Sequence, residues 1–346
     1  MPSLNNTKKI LIVGAGFAGA TIARILAEKG FSIDVIDRRD HIAGNAYDYK
    51  HECGITVHKY GPHIFHTSNQ RVIKFLSKFT EWIPYEHKAK AKLDDGNLVT
   101  LPPNKETLKI LGKENIIDIL FRPYTKKMWG LDIEELDPSI IKRIPIRDDL
   151  NELYFPSDTF QNMPKMGYTA LIKNMLDHDA ISISLETSFS KSMESQYEKV
   201  FNSMPIDEYY DYEFGELPYR SIKFHNELVK EKKVYPVSQI NFTDDNIYTR
   251  VIEWKNIPNH GKNDSQTLLT FEEPCSYKEN NMERYYPVKD IKGDNRKLYK
   301  KYTKIDNKKN VFIGRCGLYV YVDMHQVVSS SIATANKFIK NQQVLL

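Results

Sequence analysis

The residues whose types and spacing carry the clearest chemistry lie near the N-terminus, in the run Gly14-Ala15-Gly16-Phe17-Ala18-Gly19. An apolar run from Lys9 to Val13 leads into it. A helical stretch closed by Gly30 follows, and then an alternating run from Phe31 to Asp37. Strand, G-x-G-x-x-G turn, helix, strand and terminal acid in that order match the fingerprint for binding a dinucleotide. Gly14 permits the tight turn and Gly16 lets the backbone approach a pyrophosphate. Gly19 lets the helix pack close to the sheet, while Phe17 and Ala18 open the helix whose amides and dipole face the anion. Asp37 is positioned to take ribose hydroxyls.

The segment Arg38 to Ala46 continues with a second glycine-bearing turn at Gly44-Asn45. In this it is similar to flavoproteins of the glutathione-reductase-like class, which favours FAD over NAD. His63 follows Gly61-Pro62, where a kinked backbone can press the ring toward an isoalloxazine and polarise it. His58 and His66 are metal-ligand types, yet no acidic or cysteine partner completes a set in the sequence, so no metal site is expected. Cys53, Cys275 and Cys316 lack any C-x-x-C spacing and indicate neither a disulfide framework nor a zinc site.

These residues need elements to hold them. Asn310 to Arg315 reads as a buried strand ending at Gly314, and Asp323 with Gln326 forms a capping-box variant opening a last helix. Val327, Val328, Ile332, Ala335, Phe338 and Ile339 recur along that helix at near-helical spacing. The dinucleotide domain is therefore expected to be discontinuous: residues 1–68, about 195–220 and 305–346. Residues 69–150 read as a small helical domain, interrupted by a strand-like pair around 89–101 that turns at Asp94-Asp95-Gly96. Residues 151–194 and 221–304, including Ala180 to Leu185, read as a sheet domain carrying the substrate. The fold class is α/β.

Composition sets the outer limits. The chain has 346 residues, enough for two or three domains, and 41% apolar with 27% charged residues is globular and not disordered. Forty-nine Lys and Arg against forty-five Asp and Glu leave a net charge of +4, spread along the chain, which points away from nucleic acid. No apolar run approaches a membrane span, and the first residues enter a strand without a signal-peptide core, so a cytoplasmic protein is expected. Twenty-one tyrosines and 12% aromatic residues suit sugar or nucleotide binding.

Several segments, in order along nearly the whole chain, resemble the bacterial UDP-galactopyranose mutases. They are Gly44 to Ala46, Val57 to Thr67, Tyr124 to Gly130, Ile141 to Pro145, Tyr209 to Gly215, Tyr219 to Ser221, Asn241 to Asp244, Tyr248 to Glu253, Tyr285 to Val288 and Asp323 to Gln326. The resemblance implies a Rossmann-type FAD domain, a small helical domain and an antiparallel sheet domain, with the active site in the cleft between them. It also implies reversible conversion of UDP-galactopyranose to UDP-galactofuranose, for cell-surface polysaccharide, with no net redox change. In that chemistry N5 of reduced FAD attacks the anomeric carbon and UDP leaves; the sugar ring opens as a flavin iminium and recloses as a furanose. NAD(P)H or another donor keeps the flavin reduced.

By the same resemblance Arg143 and Arg250 hold the diphosphate, where an Arg fork suits phosphate oxygens, and Arg143 sits beside a mobile lid. Tyr154, Tyr286 and Tyr321 donate hydroxyls to the diphosphate, Tyr124 stacks on uracil and Trp129 shapes the sugar end. Glu272 and Asn241 complete the substrate set. Arg315, His63, Asp323 and Met324 join Gly14, Gly16, Phe17, Ala18, Gly19, Asp37, Arg38, Gly44 and Asn45 around the cofactor. The segment from His66 to Tyr124 is shorter than the family's by a few tens of residues, so a reduced helical domain is expected. Met204-Pro205 adds bulk beside the flavin domain, and Phe271 replaces a basic residue next to Glu272. The expected partners are UDP-galactose or UDP-N-acetylgalactosamine and a second copy in a homodimer, without nucleic acid or membrane insertion. An FAD-dependent amine oxidase and a non-enzymatic nucleotide-sugar binding subunit are the competing readings.

Overall fold

The computed structural model describes residues 9–136 and 146–343; Arg143 therefore lies outside the described residues. In chain order the strands are β1 (Lys9–Val13), β2 (Ser32–Ile36), β3 (Asp48–Lys50), β4 (Thr56–His58), β5 (Phe65–Thr67), β6 (Trp82–Pro84), β7 (Ala89–Lys92), β8 (Leu98–Leu101), β9 (Phe160–Pro164), β10 (Ile181–Ser184), β11 (Lys199–Asn202), β12 (Tyr219–Val229), β13 (Gln239–Phe242), β14 (Arg250–Glu253), β15 (Thr267–Ser276), β16 (Tyr286–Pro287) and β17 (Asn310–Phe312). The helices are α1 (Phe17–Ala27), α2 (Gln70–Leu76), α3 (Lys105–Leu111), α4 (Arg122–Trp129), α5 (Gly167–Leu176), α6 (Ile206–Tyr209), α7 (Asp294–Tyr302), α8 (Gly314–Gly317) and α9 (Met324–Gln343).

The first sheet runs β10-β2-β1-β11-β17, with every adjacent pair parallel. A parallel sheet is covered on both faces, so its central strands read as continuous apolar runs, and β1 is buried from Ile10 to Val13. Helix α1 crosses from β1 to β2 and packs against α9 and α5, which brings both chain ends into one core. A Cβ at Gly19 would stand 1.9 Å from the Gly14 carbonyl oxygen and 2.9 Å from Ile12 Cγ2, so only glycine lets α1 lie this close. Gly14 takes φ +102°, a conformation that favours glycine.

The segment Ala180 to Leu185 departs from the sequence reading. It does not join the substrate sheet: Ile181 to Ser184 pair in parallel with Ile33 to Ile36 and form the edge of the dinucleotide sheet. Helix α5 precedes it as a crossover, burying Tyr168, Leu171, Ile172 and Met175 in the same core. Alternation of Ile and Ser cannot distinguish an edge strand of one sheet from a strand of another.

The second sheet runs β16-β12-β15-β14-β13-β7-β8. It is antiparallel except that β13 and β7 are parallel. The strand pair at 89–101 thus extends the substrate sheet and does not interrupt a helical domain. What remains helical is the stretch from Lys105 to Trp129, whose Ile116, Leu120 and Phe121 pack onto Ala89, Ala91, Val99 and Leu101. Helix α2, expected in the helical unit, packs instead with Val72, Phe75 and Leu76 in the core shared with α1 and α9.

Replacing Gly19 with Ala is expected to destabilise the fold by about 2–3 kcal/mol, an overpacking cost. Gly30→Ala, with φ +83° and open space around the added carbon, should lose only about 1 kcal/mol. Urea unfolding of both variants checks this ordering.

Candidate functional site

The glycine turn opens a cavity that runs along the C-terminal ends of β1, β2, β11 and β17. Gly14, Gly16, Phe17, Ala18, Gly19, Asp37, Arg38, Gly44, Asn45, His63, Arg315 and Met324 all line it. The second turn packs on the first, since a Cβ on Gly44 would stand 3.0 Å from Gly16 Cα. Asp37 is buried, and its carboxylate accepts the amides of Ala15 at 2.8 Å and Arg39 at 3.0 Å, tying the two turns together. Arg38 and Arg39 pair with Glu283. Arg315 donates to the carbonyls of Tyr285 and Val322 at 3.1 and 2.8 Å.

Asp323 is the exception among the cofactor candidates: it does not line the cavity. It stands at the start of α9, where its amide donates to Gln326 Oε1 at 2.9 Å, one half of the capping box read from sequence. Met204 and Pro205 do line the cavity, so the extra bulk noted there faces the cofactor space. Sequence reasoning missed Thr187, Ser188, Phe189, Glu208, Met282 and Arg284 on the same wall. The first three follow β10, the strand read into the other sheet; Glu208 lies in the short helix α6, and Met282 and Arg284 come from a loop that carries no local signal.

The second sheet contributes none of its strand residues to this lining; only the loop before β16 does, through Met282, Glu283 and Arg284. Its register sets Asn241 beside Arg250, Arg250 beside Glu272 and Glu272 beside Phe224, a row across four strands. Directly paired residues share a face, so these side chains point the same way. Arg250 Nε donates to Glu272 Oε2 at 2.6 Å and Nη1 to Gln239 Oε1 at 3.4 Å. Glu272 keeps 1% of its side-chain exposure and Arg250 keeps 18%, so the guanidinium is the member that reaches the cleft. Burial opposes the charge on Arg250, and Glu272 more than offsets this, holding it above its ordinary pKa. Phe271 points to the other face and stacks on Phe242, so the Phe noted beside Glu272 is outside the row.

The row packs against the Gly61 turn, two residues before His63, which lines the cavity. A Cβ on Gly61 would lie 3.0 Å from Phe224 and 3.1 Å from Glu272 Oε1, an oxygen with no hydrogen-bond partner among the described residues. Around it gather Tyr124, Trp129, Tyr286 and Tyr321 in one aromatic cluster. Tyr286 and Tyr321 rings are 5.3 Å apart, and Arg315 lies over both at 5.3 and 5.5 Å. Burial pushes the Tyr286 phenol up to about 12, so it stays a donor. Tyr154 sits at the edge beside His87, its amide bonded to the His87 carbonyl at 2.8 Å. Lys59 is exposed and lies over Tyr47 and Tyr60.

His63 is neutral. Burial lowers its pKa to about 4, with Arg315 and Arg250 lowering it further and the Gly61 carbonyl pulling the other way. Its Nδ1 donates to that carbonyl at 2.8 Å, leaving a lone pair on Nε2. The amide of His63 donates to His58 Nδ1 at 3.0 Å, and His58 Nε2 lies 3.0 Å from His260 Nε2. His66, set aside for want of an acidic partner, has Asp158 Oδ2 at 2.6 Å from its Nδ1.

A parallel sheet of dinucleotide-binding type beside a larger, mostly antiparallel sheet that carries a half-buried arginine defines an α/β protein with a Rossmann-type nucleotide-binding domain. The family model for UDP-galactopyranose mutase matches residues 119–321, and that for an NAD(P)-binding Rossmann-like domain matches residues 12–79. A probable UDP-galactopyranose mutase of Klebsiella pneumoniae is 34% identical, covering 97% of this chain and 96% of its own. A dTDP-fucopyranose mutase of Escherichia coli is also 34% identical, covering 97% and 99%. The crystal structure of a reduced UDP-galactopyranose mutase superposes with a TM-score of 0.76 at 16% identity, over 96% of this chain and 94% of that one. The chain belongs to the UDP-galactopyranose mutase family, a family of isomerases. The Klebsiella alignment runs over 376 positions against 346 residues here, so at least 30 positions are absent from this chain. Among the described residues no helix is long and apolar enough to cross a membrane.

Neutral buried histidines make stability depend on pH in a defined direction. His63 and His87 have folded pKa values of about 4 and about 3, and His58 lies well below 6.5, each lowered first by burial. The unfolded chain then binds more protons than the folded one below pH about 6.5, so stability falls as pH drops from there toward 4. Thermal unfolding midpoints across that window check the slope; a flat profile would contradict it.

Proposed function

We propose that this chain binds FAD in the cavity beside the glycine turn and, with the flavin reduced, interconverts UDP-galactopyranose and UDP-galactofuranose. The observation that carries the reading is the row Asn241-Arg250-Glu272, packed at the Gly61 turn two residues before His63, which lines the cavity together with Arg315. The residues fit the flavin dinucleotide: two glycine turns leave no room for side chains against the phosphates, and four arginines, Arg38, Arg39, Arg284 and Arg315, line the cavity. When bound, the reduced flavin supplies the nucleophile that displaces the diphosphate from the anomeric carbon. An external donor such as NAD(P)H keeps it reduced.

The chain's own residues position and stabilise. Charge grows on a diphosphate oxygen as the glycosidic bond breaks, and Arg250 is a fixed, dehydrated cation that needs no reorganisation to meet it. Glu272 holds Nε, so the outer nitrogens of the fork turn toward the cleft. Arg143, from the sequence reading, is the second diphosphate cation. Tyr286, Tyr321 and Tyr154 donate hydroxyls to the phosphates, Tyr124 stacks on the base and Trp129 closes the sugar end, excluding water from the departing UDP. His63 offers Nε2 as an acceptor toward the isoalloxazine.

The test is anaerobic: dithionite-reduced protein with UDP-galactofuranose, scored for UDP-galactopyranose, beside the oxidised protein, the N-acetylgalactosamine sugar and dTDP-fucofuranose. Conversion only when reduced is expected, with the UDP-galactose pair turned over fastest. Faster conversion of dTDP-fucofuranose would move the substrate to that of the Escherichia coli relative, and no conversion of any would remove the mutase reading. Arg250→Ala should lower kcat about 100- to 1,000-fold, as loss of a preorganised charge partner does. Arg250→Lys should recover only part, since a point charge replaces the fork.

A further inference from the structure

His66 on β5 and the pair Asp323 and His325 at the start of α9 come from opposite ends of the chain, yet one ligand atom of each lies within 4.8 Å of the other two. All three are half-buried. His66 is held as a ligating histidine is, with one ring nitrogen bonded to a protein oxygen and the other left for the metal. His66 Nδ1 bonds Asp158 Oδ2 at 2.6 Å, and the His325 ring stands edge-on to the His66 ring at 5.4 Å. Phe155 stacks on His66 at 3.5 Å, which fixes the plane of that ring.

We propose that His66, Asp323 and His325 bind one zinc ion, completed by water, with Asp158 as the outer partner of His66. Two imidazoles and a carboxylate are a borderline-soft donor set that suits zinc better than magnesium or calcium. Ligands about 2.1 Å from a tetrahedral centre stand about 3.4 Å apart, so side-chain movements of about 1 Å close the cluster on the ion. The positive end of α9 opposes a cation here, and the carboxylates of Asp323 and Asp158 offset it with two negative charges. The ion would cross-link β5, just beyond His63, to α9, whose Met324 and Val327 line the cofactor cavity. This site is independent of the mutase reading, because it is defined by binding and not by turnover.

The experiment uses tag-free, flavin-loaded protein stripped with EDTA and desalted, titrated with zinc chloride near neutral pH by calorimetry, with thermal unfolding in parallel. His66→Ala and His325→Ala are titrated alongside, their bound-flavin absorbance reporting that they remain folded. One equivalent binding in the micromolar range or tighter, a raised unfolding midpoint, and loss of both in each variant are expected. No stoichiometric binding, binding only at millimolar zinc, or an equivalent retained by both variants would overturn the proposal. If His66→Ala loses its flavin, His325→Ala alone decides between these outcomes.

Discussion

The structure is organised around a charge that has to be buried and still accessible. Arg250 sits in the middle of a sheet, and an arginine taken out of water costs several kcal/mol unless it is paired. Glu272 provides that pairing from the adjacent strand at 2.6 Å, and is itself almost fully enclosed. A well-packed apolar pair at these positions would be as stable or more stable, so stability alone does not account for two buried charges. The proposed contact with a diphosphate would account for them, because a cation already held in place and partly dehydrated interacts more strongly with developing negative charge than one in water.

That pair constrains the rest of the second sheet. Strands β12 and β15 pair over ten positions without a break, from Arg220 with Ser276 to Val229 with Thr267, which leaves no freedom of register. A slip of one residue would turn Glu272 to the opposite face and put Phe271 in its place. The turn after β4 then has to approach this face through a glycine, because a Cβ at Gly61 would crowd Phe224 and Glu272. The row is thus capped by a turn whose residue nearest to it is a glycine.

Much of this was legible in the sequence where the signal is local. The strand, glycine turn, helix and acid of residues 9–37 are contiguous, and all but one of the cofactor candidates line a single cavity. The row Asn241-Arg250-Glu272 was reached through resemblance, since nothing in spacing says that residues on three strands pair side by side. What failed to be legible was sheet membership. Ile181 to Ser184 and Ala89 to Leu101 have ordinary strand composition, and which sheet they join is decided by the crossover helix α5 and by the parallel pairing with β13. His66 gave the same lesson in miniature: Asp158 is 92 positions away, and no local rule could bring it to the ring.

The histidines between the two sheets show how the core sets the chemistry at the cleft. The His63 amide donates to His58 Nδ1, so that nitrogen carries no proton and His58 Nε2 is the donor to His260 Nε2. His260 Nε2 must then be the acceptor, which leaves its Nδ1 hydrogen for the Pro258 carbonyl at 2.8 Å. Each tautomer is assigned by the next partner, ending on a carbonyl that can only accept. A proton added to His58 at Nδ1 would face the His63 amide, donor against donor, at the turn that also places the His63 ring. The enclosed chain therefore keeps three imidazoles neutral, and the loop over the cavity is held by acceptors that exist only in that state.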